Sequence, residues 1–126
     1  MLALLKKLKF KDIGTVINAP ENWETLFVQS GFKTSFDKEL KSNNTIVFVY
    51  NKKEFINFLN KQLKYIESDS VLWFAYQKGT SKIKTDINRD IIRVIGEDYN
   101  ITTVTAISID DTWSALRFRP IDRVGK

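Results

Sequence analysis

The chain contains no cysteine and no histidine among its 126 residues. Without cysteine there is no disulfide framework, no iron–sulfur cluster and no thiol nucleophile. Without histidine the commonest metal ligand and the commonest general base near neutral pH are gone. A zinc site would have to be built from carboxylates alone, so no metal is expected. Long apolar runs are also lacking at the N-terminus. Met1–Phe10, M-L-A-L-L-K-K-L-K-F, meets charge too early for a secretory signal or a membrane span. The default expectation is a cytoplasmic location with no membrane partner.

What is present fits one α/β domain over residues 1–126, long enough to bury roughly two-thirds of its unfolded surface. The formal charge is +5. Its lysines are spread over Lys6–Lys11, Lys52–Lys64 and Lys78–Lys84 rather than gathered on one recognised motif. Nucleic acid is therefore not the expected partner.

Leu2, Leu5 and Leu8 recur at helical spacing and suggest a short amphipathic helix that docks on a sheet. Thr15–Asn18 reads as a short strand, followed by Pro20 at a first helical position and a helix with Trp23, Leu26 and Phe27 on one face. Gly31 ends that helix, and Phe32–Phe36 reads as an edge strand. After a polar connector, Lys38–Asn44, the apolar run Ile46–Tyr50 has the pattern of a strand covered on both faces. Asn51 and Glu54 make a capping box for a helix carrying Phe55, Ile56, Phe58, Leu59, Leu63 and Ile66. Ser68-Asp69 interrupts the pattern, and Val71–Tyr76 is a second fully apolar strand. Asp86 is placed to cap a third helix bearing Ile87, Ile91, Val94 and Ile95. Thr102–Ile109 and Trp113–Arg119 close the chain as two strands.

Strands alternating with helices imply right-handed crossovers and a mostly parallel sheet with helices on both faces. The turn Asp110–Thr112 is too short for a crossover, so the last strand runs antiparallel. The predicted architecture is a three-layer, Rossmann-like sheet of six strands in the order 2-1-3-4-6-5, with strand 6 antiparallel.

The C-terminal half, through Leu72-Trp73, Tyr76, Lys78, Thr85-Asp86, Arg89-Asp90 and Asp110 to Arg119, resembles a family of small bacterial proteins. That family, ending in D-x-x-W-S-A-L-R-F-R, is known as a domain of unknown function, so the resemblance implies no activity. In that family a proline often stands where this chain has Gln77. More distantly, the closing strand–helix–strand–helix–hairpin is similar to the C-terminal half of SAM-dependent methyltransferases. The resemblance implies a glycine-rich first turn and an acid at the end of the second strand to hold a ribose. Here the turn is Asn18-Ala19-Pro20-Glu21, without glycine, and the acid would be Asp37. One strand–helix pair is also missing. The expectation is a shortened relative of that fold with no cofactor.

Ligands of open α/β sheets gather at the carboxyl ends of the parallel strands. That rule brings together Asn18–Pro20, Tyr50-Asn51 and Tyr76–Lys84. It adds the start of the third helix and the hairpin, with Arg119 about 20 Å away at the other rim. The candidate site for a small anionic or nucleotide-like ligand is Tyr76, Lys78, Gly79, Thr80, Ser81, Lys82, Asp86, Arg89, Asp110, Asp111 and Trp113. In it, lysines supply charge, hydroxyls and a helix N-terminus donate hydrogen bonds, and Trp113 or Tyr76 offers a stacking face. Lys78–Lys82 lacks the spacing of a P-loop. Catalysis by Asp110 and Asp111 is disfavoured because adjacent residues of a strand face opposite ways. One is expected to cap the turn and the other to pair with a base, Arg89 for example. The third reading is a non-catalytic binding module, with a protein partner met at Arg119 or Trp113. Oligomeric state is left open, with Thr102–Ile109 able to pair with a copy of itself.

Overall fold

The structure is a computed structural model that describes residues 1–79 and 85–125. Its elements in chain order are α1 (Leu2–Lys7), β1 (Thr15–Ile17), α2 (Glu21–Gln29), β2 (Ser42–Phe48), α3 (Lys52–Lys61), β3 (Ile66–Gln77), α4 (Arg89–Glu97), β4 (Ile101–Ser108) and β5 (Trp113–Pro120). The sheet has five strands in the order β1-β2-β3-β5-β4. β1, β2 and β3 pair in parallel, and β5 lies antiparallel between β3 and β4.

Two apolar layers cover the sheet. Alternation along β2, β3 and β5 sends Ile46, Phe48, Trp73, Ala75, Trp113 and Ala115 to the side of α1 and α2. It sends Val47, Phe74, Leu116 and Phe118 to the side of α3 and α4. On the first side the fully buried Trp73 donates its indole N–H to the Leu8 carbonyl at 2.7 Å, which pins the end of α1 to the sheet. On the second, Phe74 meets Phe55, Phe58 and Phe118 edge to face at 4.9–5.5 Å. Such geometry favours aromatic pairs over flat stacking.

Five strands replace the six expected, because Phe32–Phe36 is not a strand. Lys33 alone bridges to Thr15, donating to Gly14 O at 2.9 Å and accepting from Val16 N at 2.8 Å. The chain then leaves the edge. Phe36 turns onto Phe58 and Tyr65 on the α3 face, and Asp37 closes a turn on the Glu39 amide. With Lys33 counted in its place, the predicted order is otherwise retained. α2 ends in a Schellman motif: Gly31, at φ +94°, donates to Val28 O, and Phe32 donates to Phe27 O. Phe32 and Phe27 pack at 5.1 Å across that turn.

Several local expectations shift by a residue or a role. Pro20 is the cap before α2 rather than its first residue. The face α1 buries is Leu4 and Leu8, while Leu2 is 68% exposed. β2 begins inside the polar connector, because Ser42 Oγ reaches Thr15 Oγ1 and Thr45 Oγ1 and so satisfies the hydroxyls there. β3 runs through Ser68-Asp69 by means of an irregularity at which Asp69 takes φ +56°. The family's proline position, Gln77, is the buried last residue of β3.

Candidate functional site

The carboxyl ends of β1, β2, β3 and β4 and the start of β5 share one rim. The hairpin there is held by Asp110. Its Oδ1 accepts from the amides of Thr112 and Trp113 at 2.8 and 2.7 Å, and its Oδ2 accepts from the indole of Trp23 at 2.8 Å. Asp110 is therefore the acid that caps the turn, and its second oxygen takes the Trp23 indole of α2; Asp111, left to pair with a base, forms no ion pair among the described residues. Trp113 is 5% exposed, with Phe48 and Tyr50 edge-on at 5.0 and 5.2 Å, and offers no open stacking face. Tyr76 is 9% exposed, and burial raises its phenol above the ordinary range.

Next to that hairpin two ammonium groups meet. Lys7 of α1 donates to the backbone oxygen of Ser108 at 2.7 Å, and Lys78, just past β3, donates to the Ser108 hydroxyl at 2.7 Å. The Lys78 amide is fixed by Thr112 O at 2.7 Å. Both cations rest on neutral acceptors of a single exposed residue, and neither forms an ion pair among the described residues.

The other rim-facing residues serve the helices. Asp86 does not cap the third helix; Asn88 does, accepting from Ile91 N at 2.9 Å. Asp86 accepts instead from the Lys52 amide at 2.7 Å and so caps α3; of the expected capping box the Asn51 half forms, while the Glu54 side chain reaches one residue further back. Asn51 accepts from Glu54 N at 2.8 Å, and Glu54 Oε1 accepts from Tyr50 N at 3.0 Å. Arg89 is the exposed first residue of α4, Gly79 is exposed at the end of the described stretch, and Asp111 is exposed in the hairpin. Thr80, Ser81 and Lys82 lie outside the described residues. Arg119 is at the far rim, gripping Asp69 through Nε and Nη2 at 2.8 and 3.1 Å. Those bonds, with the nearby charges of Arg123 and Arg117, hold the Asp69 carboxyl below the usual carboxylate range. Arg117, expected to find an acceptor, keeps its buried Nε without one.

Sequence reasoning missed Lys7, Trp23 and Ser108. The only signals were the indole's need for an acceptor and a lysine placed on a docking helix. It also did not single out the cleft between β1 and β2, about 330 Å³, lined by Asn18, Glu54, Asn57, Gln62 and Phe58 among others. There Asn18, at φ +61°, donates to Phe48 O and Glu54 Oε1, each at 3.2 Å.

No family model and no curated protein matches the chain. Among solved structures it is similar to the crystal structure of a SAM-dependent methyltransferase from Aquifex aeolicus, with a TM-score of 0.55 and 14% identity. That match covers 93% of this chain and 87% of the other. The fold is methyltransferase-like. At that identity the likeness extends to the fold alone.

The residues at hand do not fit the cofactor that such a fold implies. Asn18 ties the first turn to Phe48 and Glu54, where the resemblance implies a glycine-rich turn open to the cofactor. Asp37, the acid expected to hold a ribose, lines a different cleft with Gly14, Thr15 and Ser42, at the opposite ends of β1 and β2. Among the described residues no three acidic side chains gather as metal ligands, and no helix is long and apolar enough to cross a membrane.

Proposed function

We propose that this chain is a non-catalytic binding module on a shortened methyltransferase-like fold, and that its carboxyl rim holds a small phosphate- or carboxylate-bearing ligand. The observation that carries the reading is the meeting of Lys7 and Lys78 on Ser108. Two like charges held on one residue repel each other. An anion seated between them replaces that repulsion with two charge-assisted bonds. Chemistry has less support at this rim. Asp86, Glu54 and Asp110 are each engaged in fixing backbone amides, which leaves none of the three free to act as a base.

The test is titration calorimetry with inorganic phosphate and with AMP, which separates a bare anion from a nucleotide. Lys7→Met and Lys78→Met are each expected to weaken binding about tenfold, or about 1.4 kcal/mol. Added salt should weaken it further, as for any exposed charge pair. A wild-type chain that takes up neither probe, or a Lys7→Met/Lys78→Met double variant that binds normally, would contradict the proposal.

A further inference from the structure

The two ends of the sheet are treated differently. At one end β1 is three residues long and Lys33 already bridges its outer side. At the other end β4 is eight residues long and pairs only with β5 among the described residues. Exposed edges are usually blunted by charge, proline or shortness. Here the opposite holds. Tyr99–Ile109 is the longest uncharged run in the chain, and the next longest, Ser42–Asn51, contains the interior strand β2. An edge strand thus has the composition of an interior one, with Thr105, Ala106 and Ser108 exposed.

We propose that β4 pairs antiparallel with β4 of a second copy, joining two five-stranded sheets about a twofold axis. Such a contact is isologous and needs no complementary partner, because an antiparallel edge presents the same donors and acceptors to itself. Charge favours the same occupant. Two chains of formal charge +5 approach best along a strand that itself carries no lysine or arginine, and an uncharged row offers little to a charged partner. The flank does not oppose the contact, since Arg93 and Glu97 neutralise each other at 3.4 Å and Glu97 also accepts from Thr102 Oγ1. Two features limit the ladder without abolishing it. The register shift between Thr103 and Thr105 bends the strand, and Lys7 occupies the carbonyl of Ser108 at its end.

Sedimentation velocity on the whole chain is expected to give a species of twice the single-chain mass. Thr105→Lys should sediment as one chain with an unchanged circular-dichroism spectrum and melting curve. Should Thr105→Lys fail to fold, Ala106→Glu on the same edge makes the same test. A wild-type protein that stays at single-chain mass up to its solubility limit would overturn the proposal. So would a folded edge variant that still dimerises.

Discussion

Asp110 is where a single residue matters most. It fixes two amides of the hairpin and anchors the Trp23 indole, so one carboxylate ties β5 to α2. Asp110→Ala should cost about 2–3 kcal/mol in urea unfolding, because it leaves three partly buried donors unmatched. Asp110→Asn, which keeps one acceptor, should cost about half of that. That one of the two hairpin acids caps the turn was legible from their position before a tight return, though not that it is Asp110. Its bond to Trp23 was not, because nothing local pairs residues 87 positions apart. Asp69 makes a different prediction. Its carboxyl is held low chiefly by Arg119, so the pair stabilises the fold above the ordinary aspartate range and that contribution disappears as pH falls through the lowered value. An acid titration followed by circular dichroism should therefore show Asp69→Asn losing stability relative to wild type at neutral pH, with the gap closing at low pH.

At the scale of elements, close approach sets the constraints. A methyl group added at Gly14 would lie 1.8 Å from the Asn44 oxygen, where β1 enters beside β2. Gly14→Ala is expected to destabilise by at least about 3 kcal/mol, read from the urea midpoint, since backbone and not a flexible side chain must move. α3 carries two separate caps, Asn51 and Asp86, and the second comes from a residue 34 positions on. Asp86→Ala should cost about 1 kcal/mol. The helices were readable because their apolar positions repeat with period 3.6, and the central strands because they are unbroken apolar runs. Phe32–Phe36 misled for the same reason: its aromatic ends match a strand, yet the ring of Phe36 gains more by turning onto Phe58 and Tyr65 than by continuing at an edge. Asp86 misled because Asn88, two residues later, caps the same helix.

For the whole molecule, the antiparallel last strand followed from a three-residue turn that cannot carry a crossover, and the placing of the inner strands from their unbroken apolar runs. That topology brings the end of β3 and the hairpin to one rim, so the site's position was partly legible. Its composition was less so. Of the lysines expected there, Lys78 is joined by Lys7 from the N-terminal helix and Lys82 lies outside the described residues, while Trp113 and Tyr76 are taken up by the core. In the proposed reading, the anion sits at the corner where Lys7 and Lys78 meet, away from the tied-off first turn. The most direct measurement is an amide-detected NMR titration of the intact chain with inorganic phosphate. Saturable shifts are expected at Lys78, Gly79, Ser108 and Asp111, with Asn18 and Glu54 unmoved; shifts confined to Asn18 and Glu54, or none at all, would rule out an anion at this corner.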